Sequence, residues 1–168
     1  MLRKFLFLFP ISGGIILLDQ ITKIWVQRTF QLHESLVVVE GYFSLTYILN
    51  PGAAFGFFAG QGATFRMIFF GVVSIIALLL LAVFFRDTDE DDTAALIAIS
   101  LLFGGAIGNM IDRVRLGEVV DFLDFYIEQY HWPAFNIADS AITLGITLLM
   151  MHIFFQKKET SEKAEARE

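Results

Sequence analysis

Asp121, Asp124, Asn136 and Asp139 fall within one short stretch, VVDFLDFYIEQYHWPAFNIADSAI, whose second half runs on into an apolar segment long enough to cross a membrane. An ionised carboxylate in hydrocarbon costs on the order of 3 kcal/mol on insertion scales, so acids kept there are functional by default. Two carboxylates that converge in a site of low dielectric cannot both ionise easily. One keeps a proton while the other is free to act as a base. An aspartic protease needs that arrangement to activate a water and to protonate a leaving amine. Spacing pairs Asp139 with either Asp121 or Asp124 and does not choose between them. The competing reading is that Asp139 pairs with Arg113, or caps a backbone group, in a bundle that moves no protons.

Other hydrolytic chemistries fit the residues less well. HESLV at His33 has Val37 where a zinc His-Glu-x-x-His site needs its second histidine, and no other metal site is expected. Ser12 in PISGG has no glycine two residues before it and no base paired with it. The absence of cysteine excludes disulfides, a thiol nucleophile and thiolate metal sites, and it also means that the chain cannot itself carry a lipid on cysteine. His131 and His152 read as interfacial or packing residues. Asp19 and Lys23 lie four apart on one helix face and read equally as an internal ion pair or as direct participants.

The elements that must position these groups are membrane spans. The chain has 168 residues, 56% of them hydrophobic, with 19 phenylalanines and a mean hydropathy of +0.65, all well outside the range of soluble globular domains. Four apolar stretches, 5–26, 67–85, 94–111 and 134–155, approach or exceed the ~20 helical residues that cross a hydrocarbon core of ~30 Å. The second carries no charge or amide. Asp19 and Lys23 mark the first, Asn109, Asp112 and Arg113 the end of the third, and Asn136 and Asp139 the fourth. Arg3 and Lys4 before the first apolar run resemble a signal peptide, but no small-residue cleavage site follows, which makes this an uncleaved span.

Placing both termini in the cytoplasm gives that side Arg3, Lys4, Arg86, Lys157, Lys158, Lys163 and Arg167, against Arg28, Arg66, Arg113 and Arg115 outside. The net charge of −6 owes much to RDTDEDD, from Arg86 to Asp92, which reads as a solvated loop. No long basic cluster precedes the tail, so nucleic acid is not expected as a partner. Residues 1–156 therefore form one membrane domain, and 157–168 a charged cytoplasmic tail expected to fray.

Between the first two spans, Phe43, Leu45, Tyr47 and Leu49 alternate with the more polar set Tyr42, Ser44, Thr46 and Ile48, a strand period that predicts a small sheet on the outer surface. NPGAAFG from Asn50 then supplies a turn and small residues for close backbone approach. On a helix, Asn136, Asp139, Thr143 and Thr147 share one face, which is expected to look into the bundle. Gly105, Asn109, Asp112 and Arg113 lie towards one side of the third span, and Gly104 with Gly108 permits close helix contact. If the fourth span enters from outside after Trp132 and Pro133, Asp139 lies roughly five residues or ~8 Å in, near the outer surface. Tyr126, Tyr130 and Trp132 are the aromatics expected at that interface, and Asp121 can fold back beside Asp139.

DQITK at Asp19, NPGAAFG at Asn50, GGAIGNMIDR at Gly104, VVDF at Val119 and FNIADSAI at Phe135 together resemble, in order, the sequence blocks of the bacterial lipoprotein signal peptidases, the signal peptidase II family. The resemblance covers nearly the whole chain. It implies an all-α membrane protein of four transmembrane helices with a small extracytoplasmic β-sheet, located in the bacterial cytoplasmic (inner) membrane. The activity it implies is that of an aspartic intramembrane endopeptidase without a cofactor. That enzyme would remove the signal peptide from diacylglyceryl-modified prolipoproteins just before the lipidated cysteine, with membrane lipid as its other partner. By motif, Asp121 and Asp139 become the catalytic pair, with Asn50, Asn109, Arg113 and Asn136 as active-site polar residues and Asp19 and Asp112 as supporting carboxylates. The rival from another class is a proton-coupled transporter or relay using the same acids. Against it stand the lack of an internal repeat, common in transporters, and acids confined near one side of the membrane.

Overall fold

The computed structural model describes residues 2–52 and 60–165. Four helices carry the chain: α1 (Leu2–Thr29), α2 (Ala63–Asp87), α3 (Thr93–Leu116) and α4 (Ile137–Glu165). All four are long and apolar enough to cross a membrane. Each expected span is found, extended at one or both ends, and α4 carries on through the charged end to Glu165. Ala53 to Gly56 of the NPGAAFG motif lie outside the described residues.

The helix ends follow from local chemistry. Asp92, the last acid of RDTDEDD, caps α3 by accepting the Ala95 N–H at 3.1 Å, so this part of the acidic run is structural as well as solvated. Gly117 ends α3 in the left-handed region at φ 78°, a conformation that costs glycine no Cβ clash. That sharp stop lets β3 (Val119–Ile127) begin two residues later. The fourth helix starts three residues later than the apolar run, because Phe135 is held extended against β3. Its N–H donates to the Leu123 carbonyl at 3.1 Å, and its own carbonyl accepts from Phe122 and Leu123.

α3 is the central helix. It packs against α1, α4 and α2, and it contributes most of the buried helical residues. A Cβ on Gly105 would lie 2.4 Å from the Ala138 carbonyl of α4, and one on Gly108 would lie 2.8 Å from Asp19 Oδ2 of α1. These two glycines let the polar ends of three helices meet. Most of α2 remains exposed, as expected of a helix whose outer faces meet lipid. The α4 face that enters the bundle is made of Ala138, Ala141 and Gly145, rather than the Thr143 and Thr147 face. Both threonines are exposed and donate their hydroxyls to carbonyls one turn earlier in α4, because small residues allow the close approach that α3 requires.

The period-two segment is a strand, as its alternation predicts. β1 (Ser35–Val39), β2 (Phe43–Asn50), β3 and β4 (Tyr130–His131) form an antiparallel sheet in chain order. Val120 and Phe122 of β3 pack on Val26 and Phe30 at the end of α1, fixing the sheet to the bundle. The alternation is interrupted once. Leu45 pairs with Leu123 but Ile48 pairs with Asp121, so two residues of β2 oppose one of β3. This bulge turns Asn50 to the same face as Leu45 and Asp121, whereas unbroken alternation would point it the other way.

Candidate active site

Asp121 arrives from β3 and Asp139 from the first turn of α4, and both open on one cavity of about 710 Å³. Asn50, Asn109 and Arg113 also line it, as does Trp132 from the loop between β4 and α4. The Asp121 carboxylate is 2% exposed. Its Oδ2 accepts from Asn50 Nδ2 at 2.9 Å and its Oδ1 from Asn136 Nδ2 at 2.7 Å. Asn50 is aimed by its own turn, where its Oδ1 accepts the Gly52 N–H at 3.1 Å, an Asx turn that leaves the amide N–H groups for Asp121. Burial first, and then the negative charge of Asp139, push the Asp121 carboxyl up to about 7.

Asp139 is the third residue of α4. Asn136 and Asp139 cap the helix reciprocally: Asn136 Oδ1 accepts the Asp139 N–H at 2.9 Å, and Asp139 Oδ2 accepts the Asn136 N–H at 3.3 Å, the geometry of a capping box. The capping role weighed against catalysis is therefore present, and it does not consume the carboxylate. Asp139 Oδ1 turns to the cavity side and accepts from Asn109 Nδ2 at 2.7 Å. Asn136 thus bonds both acids at once, through its side chain to Asp121 and through its backbone to Asp139.

Behind this layer lies a buried ionic cluster. Lys23 Nζ sits 2.9 Å from Asp19 Oδ2, from Asp112 Oδ2 and from Asn109 Oδ1. An ammonium has three N–H donors, and these are three acceptors. Because Lys23 can only donate, it fixes the Asn109 amide with its oxygen inward and its nitrogen towards Asp139. The two carboxylates hold backbone next to the acids: Asp19 Oδ1 accepts the Ala138 N–H at 3.0 Å, and Asp112 Oδ2 accepts the Val120 N–H at 3.1 Å. Gln20 Nε2 bridges the same pair, at 3.2 Å from Asp19 and 3.1 Å from Asp112. Asp19, Lys23 and Asp112 therefore do not line the cavity. They pin the residues immediately before Asp121 and Asp139.

Arg113 lines the cavity with its guanidinium 5.5 Å from the centre of the Phe70 ring. Asp124 goes elsewhere. On the opposite face of β3 it bonds His131 Nδ1 at 2.9 Å and Thr46 Oγ1 at 3.4 Å, so His131 is a sheet-tying residue. His152 similarly meets Asp92 at 2.7 Å at the far end of the bundle. Sequence reasoning left Gln20 out of the site and weighed Lys23 only as an ion-pair partner of Asp19 or a direct participant. The available signal was an intramembrane lysine, which must find several acceptors.

The family model described as signal peptidase (SPase) II matches residues 11–155. The chain is 49% identical over 161 residues to the lipoprotein signal peptidase of Syntrophus aciditrophicus, covering 95% of this chain and all of that one. It is 50% identical over 145 residues to that of Geobacter sulfurreducens, covering 86% and 89%. A solved chain described as a bacterial membrane enzyme, determined by the in meso method, superposes with a TM-score of 0.79 at 38% identity, over 92% of this chain and 90% of that one. Four spans, a small antiparallel sheet and a family match across most of its length make this chain a membrane peptidase of the signal peptidase II family, the lipoprotein signal peptidases.

Proposed function

We propose that the chain is an aspartic endopeptidase of the bacterial cytoplasmic membrane that cuts diacylglyceryl-modified prolipoproteins just before the lipidated cysteine. The observation that carries this reading is that Asp121 and Asp139, from two different elements, open on one cavity and share Asn136 between them. Below about pH 7 the pair holds one proton, on Asp121, which burial and its neighbour's charge favour in the protonated form. Asp139, held by the N–H groups of Asn109 and Asn136 at the start of α4, is then the base.

In the first step Asp139 takes a proton from a water whose oxygen attacks the scissile carbonyl carbon, while Asp121 gives its proton to the carbonyl oxygen. The tetrahedral diol then collapses. Asp139 returns its proton to the leaving nitrogen, the C–N bond breaks, and Asp121 recovers a proton from the diol, so the pair ends as it began. Arg113, a permanently charged planar donor, is placed to hold a substrate carbonyl. Asn50, Asn109 and Asn136 keep the acids aimed, and the Asp19–Lys23–Asp112 cluster holds their backbones.

Depth matches the substrate. With both termini cytoplasmic, the cavity opens near the outer face, where a chain anchored by diacylglycerol presents the bond beside its modified cysteine. The same acids buried near mid-membrane could not reach it. The test is to incubate the purified protein with a diacylglyceryl-modified prolipoprotein and with the same prolipoprotein unmodified. The lipidated chain should be shortened, and the unmodified one cut poorly even at high concentration, because remote binding energy positions the bond. Equal rates on both would refute the positioning role of the lipid.

A further inference from the structure

At the end of the bundle away from the acid pair, α1 and α2 meet beside α3 through the Phe5 and Phe85 rings, whose centres lie 5.5 Å apart. The cleft between them is about 340 Å³, walled by Phe5, Leu8, Ala82, Phe85 and Phe103, with Lys4 and Arg86 at its mouth. The walls are apolar and the mouth is cationic. Lys4 Nζ is already oriented, donating to the Phe85 and Arg86 carbonyls at 3.2 and 2.9 Å at the end of α2 and lying 5.9 Å from the Phe85 ring centre. Arg86 is 77% exposed, and its Nε meets Asp87 Oδ1 at 3.0 Å. A guanidinium has five N–H donors, so this contact leaves most of its fork for another acceptor. Carboxylates pair with cations next to the cleft without lining it: Asp87 with Arg86 of the mouth, and Asp91 with Arg3, the residue before Lys4.

The catalytic reading uses none of these groups. Their order, an apolar slot, then two cations, then carboxylates, matches a phospholipid laid lengthwise, with an acyl chain, then a phosphate, then an ammonium. We propose that this cleft is a binding site for a phospholipid with a primary-amine headgroup of the ethanolamine type, in the leaflet opposite the active site. The phosphate sits between Lys4 and Arg86, the ammonium by Asp87, and one acyl chain lies along Leu8 and Phe103. An anionic headgroup would bring no cation to the acids, and a quaternary amine would bring no N–H donor. Basic clefts between helices at headgroup level are suited to lipid phosphates.

The experiment is native mass spectrometry of the delipidated protein in detergent with equal amounts of dioleoyl-phosphatidylethanolamine, -phosphatidylglycerol or -phosphatidylcholine. The ethanolamine lipid should be retained roughly five-fold or more over the other two, and Arg86→Gln should lower its retention by roughly five-fold, the worth of about one cation near a lipid surface. Asp87→Asn should narrow the preference over the choline lipid. Ala82→Trp, on an exposed position of α2 that faces the cleft, should reduce all three by filling the slot. Thermal unfolding without lipid checks that each variant is folded. Glycerophosphoethanolamine and inorganic phosphate in large excess should fail to displace the lipid, since neither has an acyl chain. Equal retention of the three lipids, preference for the glycerol lipid, displacement by the chainless competitors, or folded Arg86→Gln and Ala82→Trp variants that bind normally would each overturn the assignment.

Discussion

Asp121→Asn should make the protein more stable at alkaline pH while lowering its activity by at least ~10² to 10⁴-fold. In the unfolded chain this carboxyl titrates near 3.8, and in the fold near 7. Between those values the native state holds a proton that the unfolded chain has given up. The stability this group contributes is therefore full below about pH 4 and is lost as pH rises through about 7. The displacement is about three pH units, which at about 1.4 kcal/mol each amounts to roughly 4 kcal/mol of stability lost by pH 9. An amide in the same place never ionises and avoids that loss. It has a cost of its own, because Asn50 and Asn136 both aim N–H donors at this side chain and an amide offers a single acceptor, so one hydrogen bond worth about 1–2 kcal/mol is forfeited. The variant should thus melt slightly below the parent at pH 5 and roughly 5–10 °C above it at pH 8–9, given about 2–4 °C per kcal/mol for a chain of this size. The assay is thermal unfolding of both purified proteins in the same detergent across that pH range. A variant destabilised by the same amount at pH 5 and pH 9 would refute the reasoning, because Asp121 would then carry no proton linkage.

The cleavage rate of the parent should fall as pH rises through about 7, since the acid that protonates the carbonyl oxygen is then lost; a rate still climbing at pH 9 would contradict Asp121 as that acid. Arg113→Lys keeps the charge but loses the planar fork, so it should fold normally and cleave much more slowly. Full activity per folded molecule, or lost expression with that activity preserved, would make Arg113 purely structural. Lys23→Met leaves Asp19 and Asp112 buried without their cation and should cost about 3–5 kcal/mol, whereas adding Asp112→Asn to it should recover part of the thermal stability but not the cleavage rate. No recovery of thermal stability would show that uncompensated charge is not the cause.

The spans and the strand after the first of them were legible because long apolar runs and a period of two are properties of contiguous residues. The acids were legible by type, since a carboxylate in an apolar run must be paired, protonated or in use. What spacing could not do was choose between Asp121 and Asp124. That choice depends on which face of β3 looks into the cavity, and strand pairing sets this. The bulge opposite Phe122 was equally hidden: Thr46 and Tyr47 are ordinary strand residues, yet the insertion there decides that Asn50 reaches Asp121. Lys23 showed its partner Asp19 one helical turn away but gave no sign of Asp112, which the packing of α1 on α3 brings within 2.9 Å. The helical face drawn through Asn136, Asp139, Thr143 and Thr147 was partly misleading for a related reason. Asn136 caps the helix from outside it, and the glycines of α3 select the small-residue side of α4 as the contact.

The most direct test of the two-aspartate site compares purified parent, Asp121→Asn, Asp139→Asn and Asp124→Asn, each measured for shortening of a diacylglyceryl-modified prolipoprotein per folded molecule. The account predicts losses of at least ~10² to 10⁴-fold for Asp121→Asn and Asp139→Asn, the usual worth of general acid–base catalysis, and substantial activity for Asp124→Asn, whose carboxylate faces His131 on the other side of the sheet. Near-normal cleavage by either Asp121→Asn or Asp139→Asn would contradict it.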